Sequence, residues 1–262
     1  MTRIRALFLC PTLTVGGAER QWASLVPLLE RRGFAITVAT LSHEGHFFAV
    51  LGALGIDVRA IGMRSRFDLR GALRALALQS LRPEIVVTQS IDAHTLGHAV
   101  AMSSAAPHVA VEHVGPGFPR RSHHDFLYRA IAPRTDAVVA VSPAQVPVLH
   151  ERHYRRDRIR VIPNGIGVPP SGRPRAVVRA ELGIESDEFL AILVATLRPE
   201  KRPDVFVAAV AAAHGRSQRI RGLVVGGGPE LERTRALAVA AGWRPSRRAD
   251  DASGRVASES SR

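Results

Sequence analysis

A chain of 262 residues, 46% of them hydrophobic, has material for one large or two small buried cores, and its first ~240 positions read as globular, not disordered. Its one cysteine, Cys10, excludes an internal disulfide and suits a reducing compartment, and no apolar stretch approaches the roughly 20 residues of a membrane span, so a soluble cytoplasmic protein is expected. The formal charge of +13, from 36 Lys+Arg against 23 Asp+Glu, attracts nucleic acids, anionic membrane surfaces and phosphorylated substrates alike, while a composition this rich in Arg and Ala is also what a GC-rich genome produces.

In chain order, Ile4–Cys10 reads as a buried strand, too short for a signal-peptide core and ended by Pro11. Ala18–Arg32 reads as a helix with Trp22, Leu25, Val26 and Leu29 on one face, and Phe34–Leu41 as a strand. A helix near 47–54, a strand at 57–61, a helix at 69–80 and a strand at 84–88 follow. Helix 94–102 precedes strand 108–112, a helix near 125–131 precedes strand 137–141, and a helical stretch at 143–150 precedes strand 159–162. Strand, helix, strand in repeated order predicts an α/β fold: a doubly wound parallel sheet with crossover helices on both faces and ligands at the carboxyl ends of the strands.

Pro163-Asn164-Gly165 breaks the alternation, and the Pro/Gly-rich run 168–174 reads as a domain linker. The pattern restarts with a strand at 189–195, a helix at 203–213, a strand at 220–225 and a helix at 229–241. This gives a first domain at 1–165, a linker and lead-in at 166–188, and a second, incomplete domain of the same kind at 189–242. From Trp243 no apolar periodicity remains, so 243–262 is expected to be an irregular tail of the kind a frameshift in a GC-rich gene would leave. A second sheet of two strands would expose an open edge that invites association.

Four loops at predicted strand ends carry the candidate chemistry. The first, 11–20, holds Gly16 and Gly17 ahead of a helix, where paired glycines admit a ligand close to the backbone and the helix start presents free N–H groups to an anion; a turn that simply needs glycine is the plainer alternative. His113 follows strand 108–112, where a neutral imidazole can bond a sugar hydroxyl or be satisfied by its own loop. Arg198 and Lys201 follow the first strand of the second domain, as cations suited to a diphosphate or as a solvated helix start. Gly226-Gly227-Gly228 repeats the glycine-turn logic after the next strand. His94 and His98, four apart, lack a third ligand and the HExxH glutamate, and His43 and His46 meet the same objection, so no metal site is expected. Ser142 lies in no GxSxG elbow, and no GxGxxG dinucleotide fingerprint occurs.

Gly16-Gly17-Ala18-Glu19-Arg20, His113, Val161-Ile162-Pro163-Asn164-Gly165-Ile166, Leu197-Arg198-Pro199-Glu200-Lys201 and Val224-Val225-Gly226-Gly227-Gly228-Pro229, in this order across about residues 3–242, resemble family 4 of the retaining glycosyltransferases, which have the two-domain GT-B fold. The resemblance implies transfer of a sugar from a nucleotide-diphosphate sugar to a glycan, lipid-linked or small-molecule acceptor, with retention at the anomeric carbon. It implies His113 as the catalytic-site contact to the transferred sugar, Arg198 and Lys201 on the donor diphosphate, and Gly16 and Gly17 as the loop approaching phosphate and acceptor. Asn164, Gly227 and Gly228 become further donor-side candidates, and the paired cations remove the need for a metal or other cofactor. The clustered arginines Arg64, Arg66, Arg120, Arg121, Arg152, Arg155, Arg156 and Arg158 predict peripheral contact with an anionic membrane. Three departures stand out: Ala195-Thr196 where the family often has Gly-Arg, Gly167 where an Asp commonly follows, and the absence of two glutamates eight positions apart, the pair that holds donor sugar and ribose. A truncated, non-catalytic member is therefore the alternative reading. A nucleic-acid binder is the more remote one, for no RNP, zinc-finger or helix-turn-helix signature accompanies the charge.

Overall fold

The computed structural model describes residues 3–113, 122–167, 172–245 and 258–260. The chain forms two compact units, Met1–Val168 and Pro169–Arg262.

The first unit runs β1 (Ile4–Cys10), α1 (Gly17–Glu30), β2 (Phe34–Thr40), α2 (His46–Ala53), β3 (Asp57–Ala60), α3 (Leu69–Leu76), β4 (Ile85–Gln89) and α4 (Ile91–Ser103). It continues with β5 (His108–Glu112), α5 (Ser122–Ile131), β6 (Ala137–Ala140), α6 (Gln145–Glu151) and β7 (Ile159–Val161). All seven strands are parallel, in the order β3-β2-β1-β4-β5-β6-β7. The order reverses between β1 and β4, so the loops that follow these two strands diverge there and leave a crevice at their carboxyl ends.

A strand buried on both faces reads as a continuous apolar run, and β1 does so from Ala6 onward. Its residues alternate between two cores. Ala6, Phe8 and Cys10 join Trp22, Val26, Val38, Phe47 and Leu51 beneath α1 and α2, with the Phe8 and Trp22 rings edge to face at 5.1 Å. Leu7 and Leu9 join Ala39, Ala75, Val86, Ala93 and Val100 beneath α3 and α4. Helix α4 lies close against β4 because Gly97 faces the strand: a Cβ there would come within 2.2 Å of the Thr88 methyl. That approach carries His94 and His98, one turn apart on the same helix face, onto β4 and β5.

The second unit runs α7 (Arg175–Glu181), β8 (Phe189–Val194), α8 (Pro203–Arg216), β9 (Ile220–Val225), α9 (Leu231–Ala240), β10 (Trp243–Pro245) and β11 (Ser258–Ser260), with sheet order β10-β11-β9-β8. β8 and β9 are parallel, whereas β11 is antiparallel to both β9 and β10. Ala191 and Leu193 of β8 pack on Val207, Val210 and Val224, while Ile192 and Val194 on its other face are 51% and 73% exposed.

Two expectations are corrected. The stretch 166–188 is more than linker and lead-in: Arg175–Glu181 is helical, started by Pro174 and stopped by Gly183 at φ 65, with Ile184 buried behind it. Nor is 243–262 irregular throughout, for β10 and β11 belong to the second sheet. The physical reason is Trp243, 3% exposed in the core, its ring 6.3 Å from that of Phe206 and close above Gly222. A lone aromatic after a glycine shows no periodicity, yet it is the largest side chain in this core. Trp243→Ala is expected to destabilise the second unit by about 3–5 kcal/mol. Amide hydrogen exchange would show lost protection in β8 and β9 with β1 and β4 unchanged; undiminished protection in β8 and β9 would contradict the packing.

Candidate functional site

In the second unit the two predicted loops are laced together. Ala195 N–H donates to Val225 O at 3.1 Å, Leu197 N–H to Gly227 O at 2.8 Å, and Glu230 N–H to Leu197 O at 3.0 Å. Leu197 is fully buried and anchors the turn. Gly226 and Gly228, at φ 149 and 143, take backbone conformations that side chains resist, and a Cβ at either would strike the carbonyl oxygen of Ala195 or Leu197, at 1.8 and 2.6 Å. Gly228 was among the expected donor-side residues together with Gly227, whose carbonyl accepts one of the lacing bonds; Gly226 belongs with them on geometry. Arg198 and Lys201 stand exposed on the short helical turn Pro199–Lys201, and among the described residues their side chains have no acidic or hydrogen-bonding partner. Neighbouring Arg202, by contrast, is tied to Asp204. The carboxyl ends of β8 and β9 thus present two uncommitted cations beside backbone that no side chain covers.

In the first unit Gly16 caps α1 from an extended conformation, and Gly17 has open space where a Cβ would be. The carboxylate of Glu19 lies beside Gly16, so a negative charge already faces the start of α1. The loop is braced from beneath by a residue outside the sequence-based set: a Cβ on Gly45 would come within 2.5 Å of the Leu13 backbone, and Phe47 N–H donates to Leu13 O at 2.8 Å. Cys10, just before the loop, is buried with its thiol pushed up to about 12, chiefly by desolvation, and is chemically quiet.

His113 follows β5, two strands from β1 and so roughly 10 Å across the sheet. Its ring is half-buried, and among the described residues its Nε2 has no hydrogen-bond partner. Burial lowers its proton affinity, with the charge of Glu112 acting in the opposite sense. Asn164 follows β7, a further two strands away, where it lines an apolar cavity of about 480 Å³ with Trp22, Leu25, Val109, Val139 and neighbours of α1 and the sheet. It is not brought to Gly16, Gly17 or His113. A second cavity of about 420 Å³ opens at the carboxyl edge between the loop after β3 and α4, where Arg64, Arg66 and Asp92 face Leu41, Phe67 and Leu96. At the end of β4 two polar atoms, Gln89 Oε1 and Ser90 Oγ, are buried without partners among the described residues, and Ser90 takes φ 74.

Beneath this edge lies a polar network that single motifs do not reveal. Glu112 is fully buried: Tyr154 OH donates to its Oε1 at 3.1 Å, and His94 Nε2 approaches Oε1 at 3.3 Å, off the line of a straight hydrogen bond. Arg152 donates to Tyr128 OH at 2.8 Å and lies over its ring. Burial pushes the Glu112 carboxyl up, but His94, Tyr128 and Arg152 together hold it below the usual carboxylate range. From His94 the network continues through Thr88 Oγ1 (2.6 Å) to His108 Nε2 (2.7 Å) and on to His98 (3.3 Å). His94 and His98 are therefore structural, and among the described residues no cluster of metal-ligating side chains occurs. Arg152 is corrected out of the surface arginine cluster, since it is buried in this network. Arg155 and Arg158 pair with Asp157, and Arg120 and Arg121 lie outside the described residues. No described helix is long and apolar enough to cross a membrane.

The sequence model of Glycosyltransferase Family 4 matches residues 15–168. Among curated proteins, a D-inositol 3-phosphate glycosyltransferase of Streptomyces griseus is 37% identical over 88 residues, 32% of this chain and 18% of that protein. A protein of the same name from Nocardia farcinica is 37% identical over 116 residues, 42% of this chain and 26% of that one. Among solved structures, HepE of Anabaena in complex with UDP superposes with TM-score 0.77 at 18% identity, over 91% of this chain and 66% of that one. Sucrose-phosphate synthase of Thermosynechococcus elongatus gives 0.70 at 16%, over 91% and 68%. The fold is shared, and the chain spans about two thirds of the length of these structures.

The buried histidine gives the first unit a pH signature. Burial, with the neighbouring rings of His94 and His98, pushes the proton affinity of His108 down to about 3, against about 6.5 in an unfolded chain. The unfolded chain takes the proton first, so stability is full above about 6.5 and is lost as pH falls towards 3, by up to about 1.4 kcal/mol per pH unit. Glu112, held low in the fold, acts with the same sign at the acid end. Urea unfolding of β1 and β4 followed from pH 7 to 4 should show this decline, and a flat profile would contradict a neutral buried His108.

Proposed function

The chain belongs to glycosyltransferase family 4, and on that premise we propose that it binds a nucleotide-diphosphate sugar and transfers the sugar, with retention at the anomeric carbon, to an acceptor held by the first unit. The observation that carries this reading is the pair of laced loops at the ends of β8 and β9, where Arg198 and Lys201 have no acidic partner among the described residues and stand beside the uncovered backbone of Gly226–Gly228. A diphosphate needs that combination: charge-assisted contacts from cations and close approach of backbone N–H groups. As the bond from the anomeric carbon to the diphosphate breaks, negative charge grows on the leaving oxygen, and the guanidinium and ammonium neutralise it without a metal ion. HepE, whose structure contains UDP, gives the nucleotide a precedent on the same fold.

In the first unit, His113 is assigned to a hydroxyl of the transferred sugar, which its partnerless Nε2 suits, and Gly16 and Gly17 to the approach of donor phosphate and acceptor. The cavity of about 420 Å³ that joins Arg64 and Arg66 to Leu41, Phe67 and Leu96 suits an acceptor with both an anionic and an apolar part. The curated relatives are named for D-inositol 3-phosphate, an acceptor of the anionic kind. Lipid-linked acceptors would also place Arg64 and Arg66 against an anionic membrane.

A second reading, donor binding without transfer, is favoured by one observation: Ala195-Thr196 stand where the family often has Gly-Arg. Calorimetry with UDP and turnover of UDP-glucose separate the two. Arg198→Ala and Lys201→Ala should each weaken UDP binding by about 1.5–3 kcal/mol, the worth of a hydrogen bond to a charged group. Bound UDP with no turnover of any nucleotide sugar would support the second reading, and unchanged UDP affinity in both variants would sink the diphosphate assignment.

A further inference from the structure

We infer that Glu112 is the positioning residue for His113: its buried carboxylate fixes the carboxyl end of β5, and with it the direction in which His113 leaves the strand. The inference rests on the reading of His113 given above. His108, Ala110 and Glu112 alternate onto the same buried face of β5, while Val109 and Val111 face α1, so the Glu112 side chain is committed to the interior. Its partners come from three directions. His94 is on α4, Tyr128 on α5, and Arg152 and Tyr154 lie in the segment between α6 and β7. A carboxylate in an apolar interior is tolerable only when such donors surround it, and removing the acceptor strands every donor that was aimed at it. The clamp therefore locks three elements to the last residue of β5, one peptide bond before His113.

The contacts continue inward from the carboxylate. His94 Nε2 lies 3.3 Å from it, off the line of a hydrogen bond, and His94 Nδ1 is 2.6 Å from the Thr88 hydroxyl. The Thr88 oxygen is 2.7 Å from Nε2 of His108, whose Nδ1 is 3.3 Å from Nδ1 of His98. Thr88, His94, His108 and Glu112 are buried, so their contribution to the site runs through the backbone to His113.

The test is histidine side-chain NMR on the full chain at pH 8, free and with UDP-glucose as probe. In the unsubstituted chain His113 should give one sharp ring signal. Glu112→Gln should split or broaden it. Val100→Ala, a core truncation on α4 outside the network, should lower the melting temperature yet leave the His113 signal unchanged, which separates positioning from general destabilisation. If Glu112→Gln does not fold, Tyr154→Phe, which removes one donor to the carboxylate, is read in the same way and should displace the His113 signal. A folded Glu112→Gln or Tyr154→Phe chain with an unaltered His113 signal would overturn the inference. His113→Ala keeps the two claims apart: UDP-glucose turnover that survives it removes the sugar contact, while the coupling of Glu112 to His113 is still read from the ring signal.

Discussion

Strands that all run one way deliver their loops to one edge, and everything proposed for this protein depends on that constraint. In the first unit it brings Gly16, the buried polar atoms of Gln89 and Ser90, and His113 to the carboxyl ends of β1, β4 and β5. In the second it sets the loops after β8 and β9 side by side, close enough for their backbones to bond. Parallel pairing has a cost, since the strands must be covered on both faces. The first unit meets it with two apolar cores on either side of β1.

Polar groups are admitted into that interior only under strict terms. Glu112 has Tyr154, Tyr128 and His94 around it, and the chain of contacts from His94 to His98 gives each buried imidazole a partner. At the edge the terms relax. Among the described residues, His113 Nε2, Gln89 Oε1 and Ser90 Oγ have no partners and Arg198 and Lys201 have no acid. The unpartnered groups at the edge are those a ligand can satisfy.

Much of this was legible in the sequence. The apolar runs of β1, β2, β4, β8 and β9 follow local rules, and the family resemblance drew on residues that lie at strand ends. What escaped was set by packing between distant segments. Thr88, His94, Glu112, Tyr128 and Tyr154 span more than sixty positions and share no motif, so only the fold assembles them. Gly45 and Gly97 look like ordinary glycines until the chain they press against is in place. Trp243 belongs to the second core although the periodicity ends before it, and Arg152, in an arginine-rich stretch of sequence, is buried against Tyr128.

The central claim is that a nucleoside diphosphate is held at the ends of β8 and β9. The most direct measurement is backbone amide shift mapping of the labelled full chain titrated with UDP. The account predicts the largest shifts at residues 195–201 and 226–230, saturating together. Shifts confined to the first unit, or none at millimolar UDP, would contradict it.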